Sequence, residues 1–257
     1  MSELFTTNFE KYNDTTLYDQ LNEPHKPELP ILLAHIKKAD SILELACGTG
    51  RLAIPLAQEG YRITGVDLHE GMLQKAQEKA TQASVEIPFH QQDCTKLALD
   101  QTYDVLFMVG NSFQHFLTNE SQDQLFAAVS AHLKPGGLFV FDTRNPIIAE
   151  FKTTDEYQST FQDYRGYDVL EQHKETYEPK TQVLHCYTSR ELHIDGQFVR
   201  DERDKISLRY TFPLEMKRLF TSHGFSIKES YGKWSGEAIS DDTPQMIYVC
   251  EKGTEPL

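Results

Sequence analysis

From Ser41 onward, short apolar runs alternate with segments whose apolar residues recur at helical spacing. Ser41–Leu45 reads as a strand and Leu52–Gln58 as a helix stopped by Gly60. Tyr61–Val66 reads as a second strand, Met72–Ala80 as a second helix, and Ile87–His90 and Val105–Val109 as the third and fourth strands. Ser121 is placed to cap a helix running to Leu133, with Leu125, Phe126, Val129 and Leu133 on one face. Pro135-Gly136-Gly137 ends that helix, and Leu138–Phe141 is a fifth apolar strand. Near-continuous apolar strands separated by helices predict a parallel sheet covered on both faces.

The pattern changes after Pro146. Between about Tyr164 and Thr211 the chain is rich in β-branched and aromatic residues, and Asp195-Gly196 between two strand-like runs signals a hairpin. A helix at Leu214–Ser222, closed by His223-Gly224, restores the alternation, and strands at Phe225–Glu229 and Met246–Cys250 follow. Ahead of the first strand, the prolines of Pro24–Pro30 predict an extended connector and Ile31–Ala39 a short helix. The expected architecture is a doubly wound α/β fold. Its mostly parallel seven-stranded sheet spans residues 41–145 and 212–257. Residues 1–40 form an N-terminal helical arm, and residues 146–211 an inserted antiparallel sheet serving as a lid.

Composition narrows the partners. The 257 residues carry a formal charge of −14 and no Lys/Arg run longer than two. Nucleic-acid binders present a basic face, so a small-molecule substrate is expected rather than nucleic acid. No apolar stretch approaches the ~20 residues that span a membrane, and the first residues lack the basic start and apolar run of a signal peptide. Cys47, Cys94, Cys186 and Cys250 form no CxxC pair, which argues against a zinc site or a disulfide framework. A cytoplasmic protein without a metal is expected. Nothing in the sequence specifies an oligomeric state.

The chemistry is expected on the loop Glu44-Leu-Ala-Cys-Gly48-Thr-Gly50-Arg-Leu-Ala53, which joins the first strand to the first helix. In open α/β sheets, ligands bind outside the carboxyl ends of the strands. Gly48 and Gly50 let the backbone turn and approach a ligand, and Asp67, at the end of the second strand, can accept from both hydroxyls of a ribose. The spacing Gly48-x-Gly50-x-x-Ala53 also fits a nicotinamide dinucleotide. Glu44 opposes that reading: its carboxylate would repel a pyrophosphate, and it suits a ligand with sulfonium and ammonium groups.

These residues carry a family resemblance. Glu44-Leu-Ala-Cys-Gly-Thr-Gly50 resembles the first motif of class I S-adenosylmethionine-dependent methyltransferases, and Gly65-Val-Asp67-Leu their second. Gln92-Asp93-Cys94 resembles the adenine-side motif, and Leu133-Lys-Pro-Gly-Gly-Leu-Phe-Val140 the late helix-to-strand turn. The likeness spans roughly residues 40 to 145 and implies a Rossmann-like core that binds S-adenosylmethionine. Candidate cofactor residues are Glu44, Ala46, Gly48, Gly50, Asp67, Leu68, Met72, Asp93, Cys94 and Val109, with Tyr18 from the arm. Tyr12 and Tyr18 serve helix packing equally well.

A narrower likeness ties Val109-Gly-Asn-Ser-Phe-Gln-His115 and Phe141-Asp-Thr-Arg-Asn145 to glycine N-methyltransferase and its relatives. It implies that Asn111 and Arg144 contact the acceptor and that His115 lies beside the cofactor, as a proton acceptor or as an orienting group. The arm departs from that group, because residues 1–40 contain no Arg to hold the cofactor carboxylate; His25 and Lys26 are the nearest substitutes. Cys94 reads as a small apolar wall. Tyr231 and Trp234 read as pocket lining or as packing, and His173, His185 and His193 as solvent-facing. The resulting expectation is methyl transfer to a small-molecule amine. A nicotinamide-dependent dehydrogenase and a non-catalytic cofactor-binding protein are the alternatives.

Overall fold

Strands and helices alternate as the apolar pattern requires. The computed structural model describes residue 8, residues 10–148, residue 151 and residues 154–254. The chain divides into two compact units: residues up to His25 together with Ile147–Tyr210, and Lys26–Pro146 together with Thr211 onward.

The larger unit contains α1 (Leu29–His35), β1 (Ser41–Leu45), α2 (Ala53–Gln58), β2 (Arg62–Asp67), α3 (Glu70–Gln82), β3 (Phe89–Gln91), β4 (Tyr103–Met108), α4 (Asn119–His132) and β5 (Leu133–Arg144). After the second unit come α5 (Pro213–Ser222), β6 (Phe225–Tyr231) and β7 (Gln245–Lys252). The sheet order is β6-β7-β5-β4-β1-β2-β3. β1 pairs in parallel with β2 and β4, and β7 runs antiparallel between β5 and β6. The chain winds outward from β1 through β2 to β3, then returns to β4 beside β1. The carboxyl ends of β1 and β4 therefore flank the switch point where α/β sheets bind ligands.

Alternation along each strand builds two cores. On one face Ile42, Val105, Phe107, Val140, Ile247 and Val249 pack with Ile31, Leu32, Ile54, Leu56 and Trp234. On the other, Phe126 of α4 lies 5.6 Å from both Phe139 and Phe220, and Phe139 stacks on Phe141 at 4.8 Å.

Several boundaries differ from expectation. Thr118, not Ser121, caps α4; Ser121 is the third helical residue and returns the bond in a reciprocal capping box. Pro30 sits in the first turn of α1, where its missing N–H costs nothing, so the helix begins inside the expected connector and ends at His35. Pro135-Gly136-Gly137 falls within β5, next to a register shift in its pairing with β4. The expected arm of residues 1–40 is divided at His25, since Ile31 and Leu32 belong to the core under the parallel sheet. Its first seven residues lie outside the described ones.

In the smaller unit, α6 (Thr15–Asn22) accompanies an antiparallel sheet. Its strands are β8 (Asp155–Gln162), β9 (Asp168–Glu178), β10 (Val183–Ile194) and β11 (Gln197–Arg209), in that order. Asp195 and Gly196 both have positive φ, 51° and 74°, and join paired Ile194 and Gln197, as a two-residue hairpin turn requires. The Asn8 side chain exchanges two hydrogen bonds with the Ser207 backbone, occupying one donor and one acceptor on the edge strand β11.

The histidines of this sheet are not simply solvent-facing. His173 shares a face with Val169, Glu171 and Tyr177, and its side chain is 14% exposed. It pairs with Glu171 at 2.7 Å and stacks on Tyr157. His185 and His193 are half-buried, with His185 against Ser207 and His193 against Phe198.

Candidate functional site

The loop after β1 is shaped by its backbone. Ala46, Gly48 and Gly50 all have positive φ, at 53°, 55° and 78°. At Gly50 the constraint is steric as well: a Cβ there would lie 3.0 Å from Ile54 Cδ1. The Cys47 amide donates to the Val66 carbonyl, and the Gly48 amide to Asp67 Oδ2 at 2.8 Å. Asp67 Oδ1 accepts the His69 amide at 2.8 Å. Each oxygen therefore spends one lone pair on the backbone and keeps capacity for a hydroxyl. The half-buried Asp67 carboxyl has its pKa raised, chiefly by burial. Leu68 and Met72 follow directly, with His69 Nδ1 capping α3 through the Met72 amide.

Asp93 caps the short turn Cys94–Lys96 through the Thr95 amide and hydroxyl, at 2.9 and 2.7 Å. Burial pushes the Cys94 thiol up to about 12 and raises the Cys47 thiol as well, so both stay protonated and present apolar surface.

Glu44 is 3% exposed, and its Oε2 has no hydrogen-bond partner. Burial raises its pKa to about 8 against the opposing pull of Arg51 and the Ala53 amide. Arg51, which sequence reasoning passed over, grips the buried carboxylate of Glu28 through both terminal nitrogens, at 2.9 and 2.5 Å. It also acts electrostatically on Asp142. One guanidinium thus acts on three buried carboxyl groups, and ionising Glu44 at neutral pH calls for a further cation. A ligand with ammonium and sulfonium groups fits that demand, the ribose capacity of Asp67 and the turns at Gly48 and Gly50; a pyrophosphate does not.

The strand ends bring the acceptor candidates to the same edge. Val109 is buried at the end of β4. Asn111 is left-handed, at φ 59° and ψ 22°, and opens the turn Ser112–His115. Its Oδ1 is buried without a partner. Arg144, exposed, is the last residue of β5, two positions from Asp142 and so on the same strand face. His115 closes the turn after Asn111 and is half-buried. Trp234 packs in the core and donates from Nε1 to Asp142 at 3.3 Å. Tyr18 lies in the other unit, edge-on to Tyr12 at 5.9 Å.

A methyltransferase-domain family model matches residues 42–137. A Bacillus subtilis (strain 168) protein named as a methyltransferase is 34% identical over 249 residues, covering 92% of this chain and 95% of that one. The chain belongs to the class I S-adenosylmethionine-dependent methyltransferases. The methyltransferase is also similar to rat (Rattus norvegicus) glycine N-methyltransferase, at 32% identity over 118 residues, but that likeness is local and covers 40% of each chain. Its fold matches the CcbJ methyltransferase of Streptomyces caelestis, with a TM-score of 0.78 and 23% identity over 97% of this chain and 98% of that one. It also matches CalS10, an amino pentose methyltransferase of Micromonospora echinaspora, with a TM-score of 0.70 and 17% identity over 89% of this chain and 92% of that one. Among the described residues no helix is long and apolar enough to cross a membrane.

Arg51 and Asp142 left signals in the sequence. Arg51 directly follows the last glycine of the loop, and Asp142 interrupts the apolar run Leu138–Phe141 at its end. A charged residue at the end of a buried strand requires partners.

Proposed function

We propose that the methyltransferase transfers a methyl group to an amine nitrogen of a small molecule by direct in-line displacement. The carrying observation is the buried, unpartnered Asn111 Oδ1 at the carboxyl end of β4. An amide oxygen accepts from N–H, so it would orient an amine of the acceptor. The name of the amino pentose methyltransferase agrees with an amine acceptor.

In this reading Asp67 would hold the ribose, Glu44 would receive the ammonium group, and Ala46, Gly48, Gly50, Leu68, Met72, Asp93, Cys94 and Val109 would shape the remaining wall. The sulfonium supplies the methyl and an excellent leaving group. The protein's task is alignment and exclusion of water, which can contribute ~7–11 kcal/mol. The attacking amine must be neutral, and His115 takes up its proton directly or through water. Screening a library of small amines for methyl transfer tests the reading. Failure across amines, with turnover of hydroxyl acceptors, would overturn it.

Arg144 gives the acceptor a second point of recognition, because guanidinium forks two N–H groups toward a carboxylate or similar oxyanion. Arg144→Lys keeps the charge and loses the fork. Acceptor kcat/KM should fall about tenfold, the loss of one charge-assisted hydrogen bond, while calorimetric affinity for S-adenosylmethionine stays nearly unchanged. Unaltered acceptor kinetics would remove Arg144 from the site. The sulfonium needs no Lewis acid to leave, so turnover should also persist in excess EDTA; loss restored by a divalent ion would contradict this mechanism.

A further inference from the structure

Asp142 has no exposed surface, and neither methyl alignment nor proton removal uses it. Its carboxylate gathers three donors from separate segments. The Asn111 amide donates to Oδ1 at 2.8 Å, and Trp234 Nε1 and Gln245 Nε2 donate to Oδ2 at 3.3 and 3.1 Å. These partners follow β4, lie between β6 and β7, and begin β7. A carboxylate accepts from all three. A carboxylic acid accepts more weakly at its protonated oxygen, and an amide in its place would set an N–H against an N–H.

The Asn111 bond is the consequential one. Asn111 is left-handed, a conformation that residues with a Cβ enter at a cost, and its Oδ1 is left without a partner. A backbone clamp at the same residue explains how the turn holds that geometry while the side-chain oxygen stays unspent. We propose that Asp142 is a positioning residue that, as a carboxylate, clamps the turn after β4 and so fixes the edge where methyl donor and acceptor meet. This rests on the reading of that edge as the methyl-transfer site.

The charged groups around Asp142 act in opposite directions. Burial pushes its pKa up to about 7 and Glu28 adds to the rise, while Arg51 and the Asn111 and Trp234 donors oppose it. Glu44 is coupled to the same Arg51 and Glu28 charges. The clamp should therefore weaken as pH falls through neutrality.

Trp234 is the chain's single tryptophan and bonds Asp142 directly, so its emission reports the clamp. With full-length protein, emission should show a transition near neutral pH that Asp142→Asn abolishes. Asp142→Asn should weaken S-adenosylmethionine binding about tenfold by calorimetry, as for loss of a hydrogen bond to a charged group. In an Asn111→Gly background, where the left-handed turn costs nothing, the same change should weaken binding by less than about threefold. Equal losses in both backgrounds, or wild-type affinity in Asp142→Asn, overturn the proposal. Should Asp142→Asn not fold, the wild-type pH series decides: affinity must fall in step with the Trp234 transition, and a flat profile overturns the clamp. If wild-type protein does not bind S-adenosylmethionine, the cofactor reading is what fails. Hydrogen exchange at the Asn111 amide across the same pH range then decides the clamp: protection relative to an unstructured amide at the same pH should fall at low pH, and constant protection overturns it.

Discussion

Asp67→Ala should weaken S-adenosylmethionine binding by about 1.5–3 kcal/mol, the range for a hydrogen bond to a charged group. The two oxygens each hold one backbone amide, Gly48 on one side and His69 on the other, at 2.8 Å. The carboxylate therefore ties the loop after β1 to the start of α3 before any ligand arrives. Removing it takes away the acceptors for the ribose hydroxyls and frees two amides that shape the pocket. The variant should also unfold at a lower temperature, because a buried amide left unmade costs about 1–3 kcal/mol. Calorimetry on folded protein separates the two effects. An Asp67→Ala protein with wild-type affinity would show that Asp67 only braces the loop. Asp67→Asn should fall between, since its amide keeps one acceptor oxygen and presents its NH2 to a backbone donor.

The centre of the parallel sheet was legible because β1, β2 and β4 are buried along most of their length and read as apolar runs. Ser41–Leu45 is a strand over the expected residues, and the helix expected at Leu214–Ser222 differs by one. Boundaries slipped where side-chain bonds decide them. Thr118 and Ser121 exchange bonds at the start of α4, so either could be read as the cap until the reciprocal pair was visible. His173 departs from expectation for a different reason. Histidine alone has no preference, and the period-two alternation that places it beside Glu171 and Tyr177 needs the strand register.

The cofactor loop was legible because its glycines and Asp67 carry a recognisable spacing. The buried network under it was not. Glu28 lies 23 positions from Arg51, and Trp234 lies 92 from Asp142. Nothing local marks such pairs; only the strand order that brings β1, β4 and β5 together does. The charge imbalance around Arg51 is therefore a property of the fold, and it leads to the second large effect.

Glu44→Gln should stabilise the protein without ligand at high pH and weaken its hold on S-adenosylmethionine. Burial raises the Glu44 pKa from 4.5 to about 8. For an acid raised in this way, the folded state favours the neutral form. Its contribution to stability is complete below pH 4.5 and is lost as pH rises toward 8, with each pKa unit carrying about 1.4 kcal/mol. Glutamine imitates the neutral form, including an oxygen for the Ala53 amide, and it cannot ionise. The variant and the wild type should therefore unfold at similar temperatures near pH 5, and the variant at a higher temperature near pH 9. Binding should run the other way. A cationic ligand beside Oε2 favours the carboxylate, so wild-type protein should release a proton on binding near pH 7, and the calorimetric enthalpy should vary with the ionisation enthalpy of the buffer. Glu44→Gln should lose most of that dependence and bind about tenfold or more weakly, as expected when a charge-assisted contact is removed. The two outcomes separate two views of Arg51. If the variant is less stable than wild type at pH 9, Arg51 already holds Glu44 ionised and no further cation is called for. If it is more stable there and binds more weakly, the unbalanced carboxylate is the feature that selects a cationic methyl donor.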